Sequence, residues 1–310
     1  MAGVLNGSVA LVGAGAVGLH YGARLALNGE DVRFMLRSDY EVVMKEGIRL
    51  ESVDGNATLH PAQGFSDASE IGPVDWVIVA WKATANERLA EVLKPMLHER
   101  TQVLTLQNGL GNCEALAEII GPERVLGGLC FVCLNRLSEG YVRHTAGGRV
   151  TIGEWRPEPG IPRATRLAAA FEAAGVKCEA VEDLERAQWR KLVWNIPFNG
   201  LAIAEGGVTT DVLLADPEIE REVEALMREV ISAANAKGLS IDEGVVDFEI
   251  GRTRPMGPYR PSSMIDYVEG RAVEYEAIWG EPLRQAKAAG VPVPRLEHLA
   301  GRIREKIGSR

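Results

Sequence analysis

Residues 8–18 constrain this chain more tightly than any other stretch. The apolar run Ser8–Val12 leads straight into Gly13-Ala14-Gly15-Ala16-Val17-Gly18, and a helix-compatible segment follows through Leu27 until Asn28-Gly29 stops it. This is G-x-G-x-x-G in its working context, after a strand and opening a helix. Gly13 permits the tight turn, Gly15 lets a pyrophosphate approach the backbone, and Gly18 lets strand and helix pack closely. The phosphates would sit at the positive end of that helix, against the loop that Ala14, Ala16 and Val17 complete. The spacing predicts a dinucleotide site on a doubly wound α/β sheet.

The next strand is expected over residues 31–36, and it ends at Arg37-Ser38. An NAD-selective site usually carries Asp or Glu there to hold the ribose hydroxyls, whereas a guanidinium suits a 2′-phosphate. Arg37 therefore favours NADPH over NADH, with Asp39 and Glu41 close by as the opposing signal. Further strands are expected over residues 76–80 and 103–106, ending in Trp81-Lys82 and Gln107-Asn108-Gly109. Ligands of such sheets bind outside the carboxyl ends of the strands, which directs Lys82 and Asn108 toward cofactor and substrate. A solvated lysine and an Asn-Gly turn are the plainer alternatives. Strands over 126–134 and 141–152, a helix over 163–174 and a strand over 177–181 would close a first domain spanning 1–182.

A chain of 310 residues is long for one core, and the composition changes after Glu182. Short β-branched runs give way to helical periodicity, so 183–310 reads as a second, all-helical domain. Its first segment, WRKLVWNIPFNGL at 189–201, sets Lys191, Asn195 and Asn199 four residues apart on one side of a helix. One ammonium and two carboxamides beside an apolar wall can hydrogen-bond the oxygens of a small molecule. A surface lysine with two helix-interrupting asparagines is the alternative. Pro197 should kink the helix between the two asparagines and curve the row around a compact ligand. Asp216-Pro217 opens a helix that Gly238 stops, and helices are expected over 269–289 and 295–307. Ser262 or Ser263 suits the N-cap of a helix after the prolines at 255, 258 and 261, and Glu274 and Glu276 suit a solvated helix face.

The net charge of −9 and pI near 5.3 argue against a nucleic-acid partner. No apolar run approaches the ~20 residues that span a bilayer. The N-terminus lacks a basic leader, so no membrane partner and a cytoplasmic location are expected. Cys130 and Cys133 have C-x-x-C spacing but sit in the apolar run LGGLCFVCL, and the five histidines are scattered, so no metal site is expected.

Seven blocks, in order, resemble the ketopantoate reductase family, the NADPH-dependent 2-dehydropantoate 2-reductases. They are GAGAVG at 13–18, LR at 36–37, WK at 81–82, LQNGLGN at 106–112, KLVWNIPFN at 191–199, SSM at 262–264 and GRAVEYEAIWG at 270–280. The resemblance implies a Rossmann domain followed by an all-helical domain of the 6-phosphogluconate-dehydrogenase kind. Position by position, it implies that Lys191 is the catalytic lysine and that Asn108, Asn195, Asn199 and Ser263 hold the substrate. It implies that the glycine loop, Arg37 and Lys82 bind NADPH, with Asn108 and Glu274 also at the cofactor. The family's second catalytic residue lies in a G-R-x-T-E-I-D segment, which the Gly270-Arg271 anchor matches to Glu274. Val273 replaces the threonine, Glu276 stands at the aspartate, and the stretch from Ser263 is one residue shorter, so Glu276 stays beside Glu274 as an alternative.

The implied reaction adds a hydride to C2 and a proton to oxygen of a small 2-oxo acid. A lysine with an ordinary pKa near ~10.4 is protonated at neutral pH, so Lys191 suits both charge stabilisation and proton donation. Glu274 would orient the lysine or the C4 hydroxyl. The alternatives are a reductase of another 2-oxo acid, such as a D-2-hydroxyacid dehydrogenase, and an NADPH-binding sensor without chemistry. A homodimer is left open.

Overall fold

The computed structural model describes residues 3–309, which separate into two compact units. The first comprises residues 3–107 and Asn112–Leu184; the second comprises Asn108–Gly111 and the chain from Glu185 onward. Four residues of the N-terminal half thus pack with the C-terminal half.

The first unit is built on β1 (Ser8–Val12), whose side chains are almost all buried, as befits a central strand of a parallel sheet. After it the chain turns at Gly13, with φ of +108°, into helix α1 (Ala16–Leu27). A Cβ on Gly18 would lie 2.0 Å from the Gly13 carbonyl oxygen, so the close approach of helix to strand requires glycine there. The chain continues through β2 (Asp31–Met35), α2 (Tyr40–Glu46), β3 (Ile48–Ser52), β4 (Ala57–Leu59), β5 (Gln63–Phe65) and α3 (Ala68–Ile71). Then come β6 (Trp76–Val79), α4 (Leu89–Leu93), β7 (Gln102–Thr105), α5 (Asn112–Ile120), β8 (Val125–Ser138), β9 (Tyr141–Glu154), α6 (Arg163–Ala173) and β10 (Cys178–Val181).

The sheet order is β4-β3-β9-β8-β7-β6-β1-β2-β5. The strands β5-β2-β1-β6-β7-β8 are all parallel and reproduce the doubly wound order, reversing direction of winding at β1. The α/β class anticipated from the glycine loop is therefore observed. Beyond it the sheet is mixed. β9 runs antiparallel to β8 in a long hairpin with three register shifts, and β3 and β10 both join β9 in parallel. The hairpin strands are longer than the hydrophobic runs suggested, because their distal halves are half-exposed and alternate in polarity.

The second unit is helical: α7 (Leu184–Ala204), α8 (Thr210–Ala215), α9 (Pro217–Ala236), α10 (Val245–Thr253), α11 (Ser262–Val268), α12 (Glu281–Ala288) and α13 (Pro294–Gly308). Asp216 caps α9 as anticipated, accepting the N–H groups of Glu218 and Ile219. The single helix expected over 269–289 is not formed. The chain turns at Gly270, with φ of +69°, and re-enters through a π-helical turn, Glu276–Gly280, ahead of α12. Trp189, Phe198 and Trp279 are fully buried in the unit's core. α7 continues through Pro197, and Trp279 Nε1 donates to the Ile196 carbonyl at 3.1 Å.

Candidate active site

In the first unit the glycine-rich loop leaves the start of α1 open. Gly15 stands at the N-cap of α1, no side chain caps that end, and a Cβ on Gly15 would meet nothing within 4 Å. The N–H groups of the first turn therefore open onto unfilled space beside half-buried Ala14, Ala16 and Val17. Gly13 is fixed from the other side, since its Cβ would fall 2.3 Å from the Trp81 nitrogen.

At the end of β2, Arg37 and Ser38 are exposed while Asp39 is buried. The Asp39 carboxylate is bonded by the Arg136 guanidinium and lies 3.5 Å from the Gly140 N–H. Lys82 follows β6 at the start of a short 3-10 helix, Ala83–Arg88. A network that the sequence did not suggest ties the loops after β6 and β7. Asn86 Oδ1 accepts from Trp81 Nε1 and from Gln107 Nε2 (2.7 Å), and Asn86 Nδ2 donates to Asn112 Oδ1. Spacing gives no sign of Asn86, which is polar in a polar run.

The remaining site residues all belong to the second unit. Lys191, half-buried on α7, donates from Nζ to Asn108 Oδ1 at 2.9 Å. Asn108 reaches this position because the π-helical turn holds its segment. The Leu110 N–H donates to the Ala277 carbonyl at 2.9 Å, and Gly109 adopts φ of +84° with its α-carbon against the same carbonyl. A Cβ on Gly109 would lie 2.2 Å from the Ala277 oxygen. Through Trp279 and Ala277 one turn thus grips both α7 and the Asn108 segment, which sets the register of Asn108 against Lys191. Turns of this kind recur at functional sites.

Farther along α7 the two asparagines differ. Asn195 is buried, yet its carboxamide makes no hydrogen bond among the described residues. Asn199 is committed: Oδ1 accepts the Ser263 N–H at 2.9 Å and Nδ2 donates to the Asn195 carbonyl at 3.1 Å. This corrects the expectation that Ser262 or Ser263 caps its helix. Pro261 occupies the cap position and neither serine hydroxyl caps, because Asn199 reaches across and serves the free N–H. The Ser263 hydroxyl is left buried without a hydrogen-bond partner among the described residues.

Of the two glutamates, Glu276 is exposed and paired with Arg284 at 2.8 Å, whereas Glu274 is 7% exposed. The solvated-face reading fits Glu276 and fails for Glu274. Among the described residues no cluster of metal-ligating side chains occurs, and no helix is long and apolar enough to cross a membrane.

Comparison with known proteins bears on the family and the fold. Residues 9–157 match the family model described as Ketopantoate reductase PanE/ApbA, and residues 183–306 match its C-terminal counterpart. A 2-dehydropantoate 2-reductase of Nostoc sp. is 41% identical over 94% of this chain and 92% of its own length. The crystal structure of 2-dehydropantoate 2-reductase from Geobacter metallireducens superposes with a TM-score of 0.93 at 46% identity, covering 96% of this chain and 99% of that one. A D-mandelate dehydrogenase solved with NADH and anilino(oxo)acetate shares the fold, with a TM-score of 0.88 at 22% identity over 97% and 99% of the two chains.

Proposed function

The chain belongs to the ketopantoate reductase family, and from that membership we propose that Lys191 protonates the C2 oxygen of 2-dehydropantoate in its NADPH-dependent reduction to pantoate. As a member it is an NAD(P)-dependent oxidoreductase acting on CH–OH groups. The observation that carries the residue assignment is the hydrogen bond from Lys191 to Asn108.

Bound NADPH supplies the hydride for the C2 carbon; the chain's own residues supply everything else. The uncapped start of α1 and the open space over Gly15 suit a pyrophosphate. Exposed Arg37 and Ser38 suit a 2′-phosphate, and the nearest carboxylate, Asp39, is withdrawn into a bond with Arg136. These features support NADPH over NADH. Lys82 contributes a second positive charge near the same ribose.

The Lys191 ammonium has three N–H donors in a fixed tetrahedral arrangement. Asn108 Oδ1 takes one, which fixes the direction of the others. One of these donates to the ketone oxygen, stabilises the negative charge that develops there, and passes its proton to that oxygen. The Asn195 carboxamide and the Ser263 hydroxyl bind the substrate carboxylate, and for the buried Ser263 hydroxyl this exchanges an unmade hydrogen bond for a made one. Asn199 has one N–H left for substrate and holds the Ser263 backbone in place. Glu274 accepts a hydrogen bond from the C4 hydroxyl or orients the lysine.

Following NADPH absorbance with the purified protein tests the reading. 2-Dehydropantoate should give the highest kcat/KM in a panel that includes bulkier 2-oxo acids such as phenylglyoxylate. A higher value for phenylglyoxylate would transfer the substrate assignment, and no consumption with any member would favour a sensor.

A further inference from the structure

The loop after β2 carries charges of both signs two residues apart, Arg37 and Asp39. Which sign faces the adenosine ribose decides the cofactor, since a carboxylate there recognises the 2′-hydroxyl and a guanidinium recognises the 2′-phosphate. Asp39 stands at the N-cap of α2, where an aspartate side chain ordinarily accepts the free N–H groups of the first turn. Here it makes no such bond. It is turned inward instead, 2% exposed, onto Arg136 of β8, with the Ser38 hydroxyl donating at 3.3 Å and the Gly140 N–H at 3.5 Å. The same Arg136 Nη2 lies 3.4 Å from Ser38 Oγ, to which it donates. The Arg136 side chain keeps 36% exposure.

We infer that Arg136 is a specificity-determining positioning residue for the cofactor. By drawing the Asp39 carboxylate into the sheet it leaves Arg37 as the charged group that meets the 2′-phosphate. Without Arg136 the carboxylate loses its buried counter-charge and turns out toward the free N–H groups of α2 and solvent. There it stands beside Arg37, repels a phosphate and offers acceptors to a ribose hydroxyl. The inference rests on the NADPH reading above.

The test compares NADPH and NADH as the varied substrate, at saturating 2-oxo acid, for the wild type, Arg136→Met, Asp39→Asn and the double variant. Arg136→Met should lower the NADPH/NADH ratio of kcat/KM about tenfold, mainly through a higher KM for NADPH, the size of one lost charge-assisted contact. In the Asp39→Asn background, which has the same shape without the charge, Arg136→Met should change that ratio by less than about twofold. That comparison stays informative if Arg136→Met alone does not fold. Equal losses with both cofactors, or an unchanged ratio, would overturn the inference. A wild type that prefers NADH would instead overturn the NADPH reading itself.

Discussion

Lys191 and Asn108, 83 positions apart in sequence, are joined by a 2.9 Å hydrogen bond from the ammonium to the side-chain carbonyl. The bond lies inside the helical unit, although Asn108 follows a strand of the other. A lysine has a flexible stem and three equivalent donors, so an acceptor at a fixed place is what gives the remaining donors a direction. Asn108→Ala should therefore lower kcat by roughly tenfold or more, as expected when an orienting contact is lost. The check is steady-state kinetics with both substrates saturating; an unchanged kcat would show that Lys191 is oriented by other groups.

Gly109→Ala should be more damaging than its size suggests. The residue has φ of +84°, and the new methyl would fall 2.2 Å from the Ala277 oxygen. Left-handed strain costs about 1 kcal/mol and the overlap adds to it, so the segment should move off the π-helical turn. The expected result is a lower Tm together with a lower kcat, because Asn108 moves with the segment. Loss of Tm with full kcat would separate the anchor from the chemistry.

The two glutamates should separate cleanly. Glu276→Gln removes an exposed pair with Arg284, for which a stability change within about 0.5 kcal/mol and near wild-type turnover are expected. Glu274→Gln, at a buried position, should reduce kcat/KM for the 2-oxo acid. The opposite ranking would make Glu276 the functional carboxylate.

His20 makes the first unit sensitive to acid. Burial first, then the neighbouring His144 and Arg24, lowers its pKa from 6.5 to about 3. The folded chain therefore keeps His20 neutral where the unfolded chain protonates it. Its contribution to stability is complete above pH 6.5 and is lost as the pH falls from there toward 3. Over that window a single proton accounts for at most about 1.4 kcal/mol per pH unit. Urea denaturation of wild type and His20→Leu between neutral and acidic pH should show the wild type losing stability faster. Parallel curves would contradict the assignment.

The parts of this molecule that were legible in its sequence are those governed by short-range pattern. A buried parallel strand followed by G-x-G-x-x-G announces itself, and four-residue spacing puts Lys191, Asn195 and Asn199 on neighbouring turns of α7. The parts that were not legible depend on contacts between distant segments. Leu110 pairing with Ala277 draws Asn108–Gly111 into the helical unit, and nothing in Q-N-G-L records that partner. Ser262 and Ser263 looked like caps because their residue type favours it, but a carboxamide from another helix filled the role. Three-residue strands such as Ala57–Leu59 and Gln63–Phe65 are too short to carry a period. Spacing likewise cannot tell buried Glu274 from exposed Glu276.

The proposed role of Lys191 as proton donor can be tested in a single variant. Lys191→Ala should lower kcat for 2-dehydropantoate by roughly 10²–10⁴, the usual worth of a general acid, while the dissociation constant for NADPH, read by nucleotide fluorescence, stays close to wild type. Wild-type turnover in that variant, with NADPH binding intact, would exclude Lys191 as the proton donor.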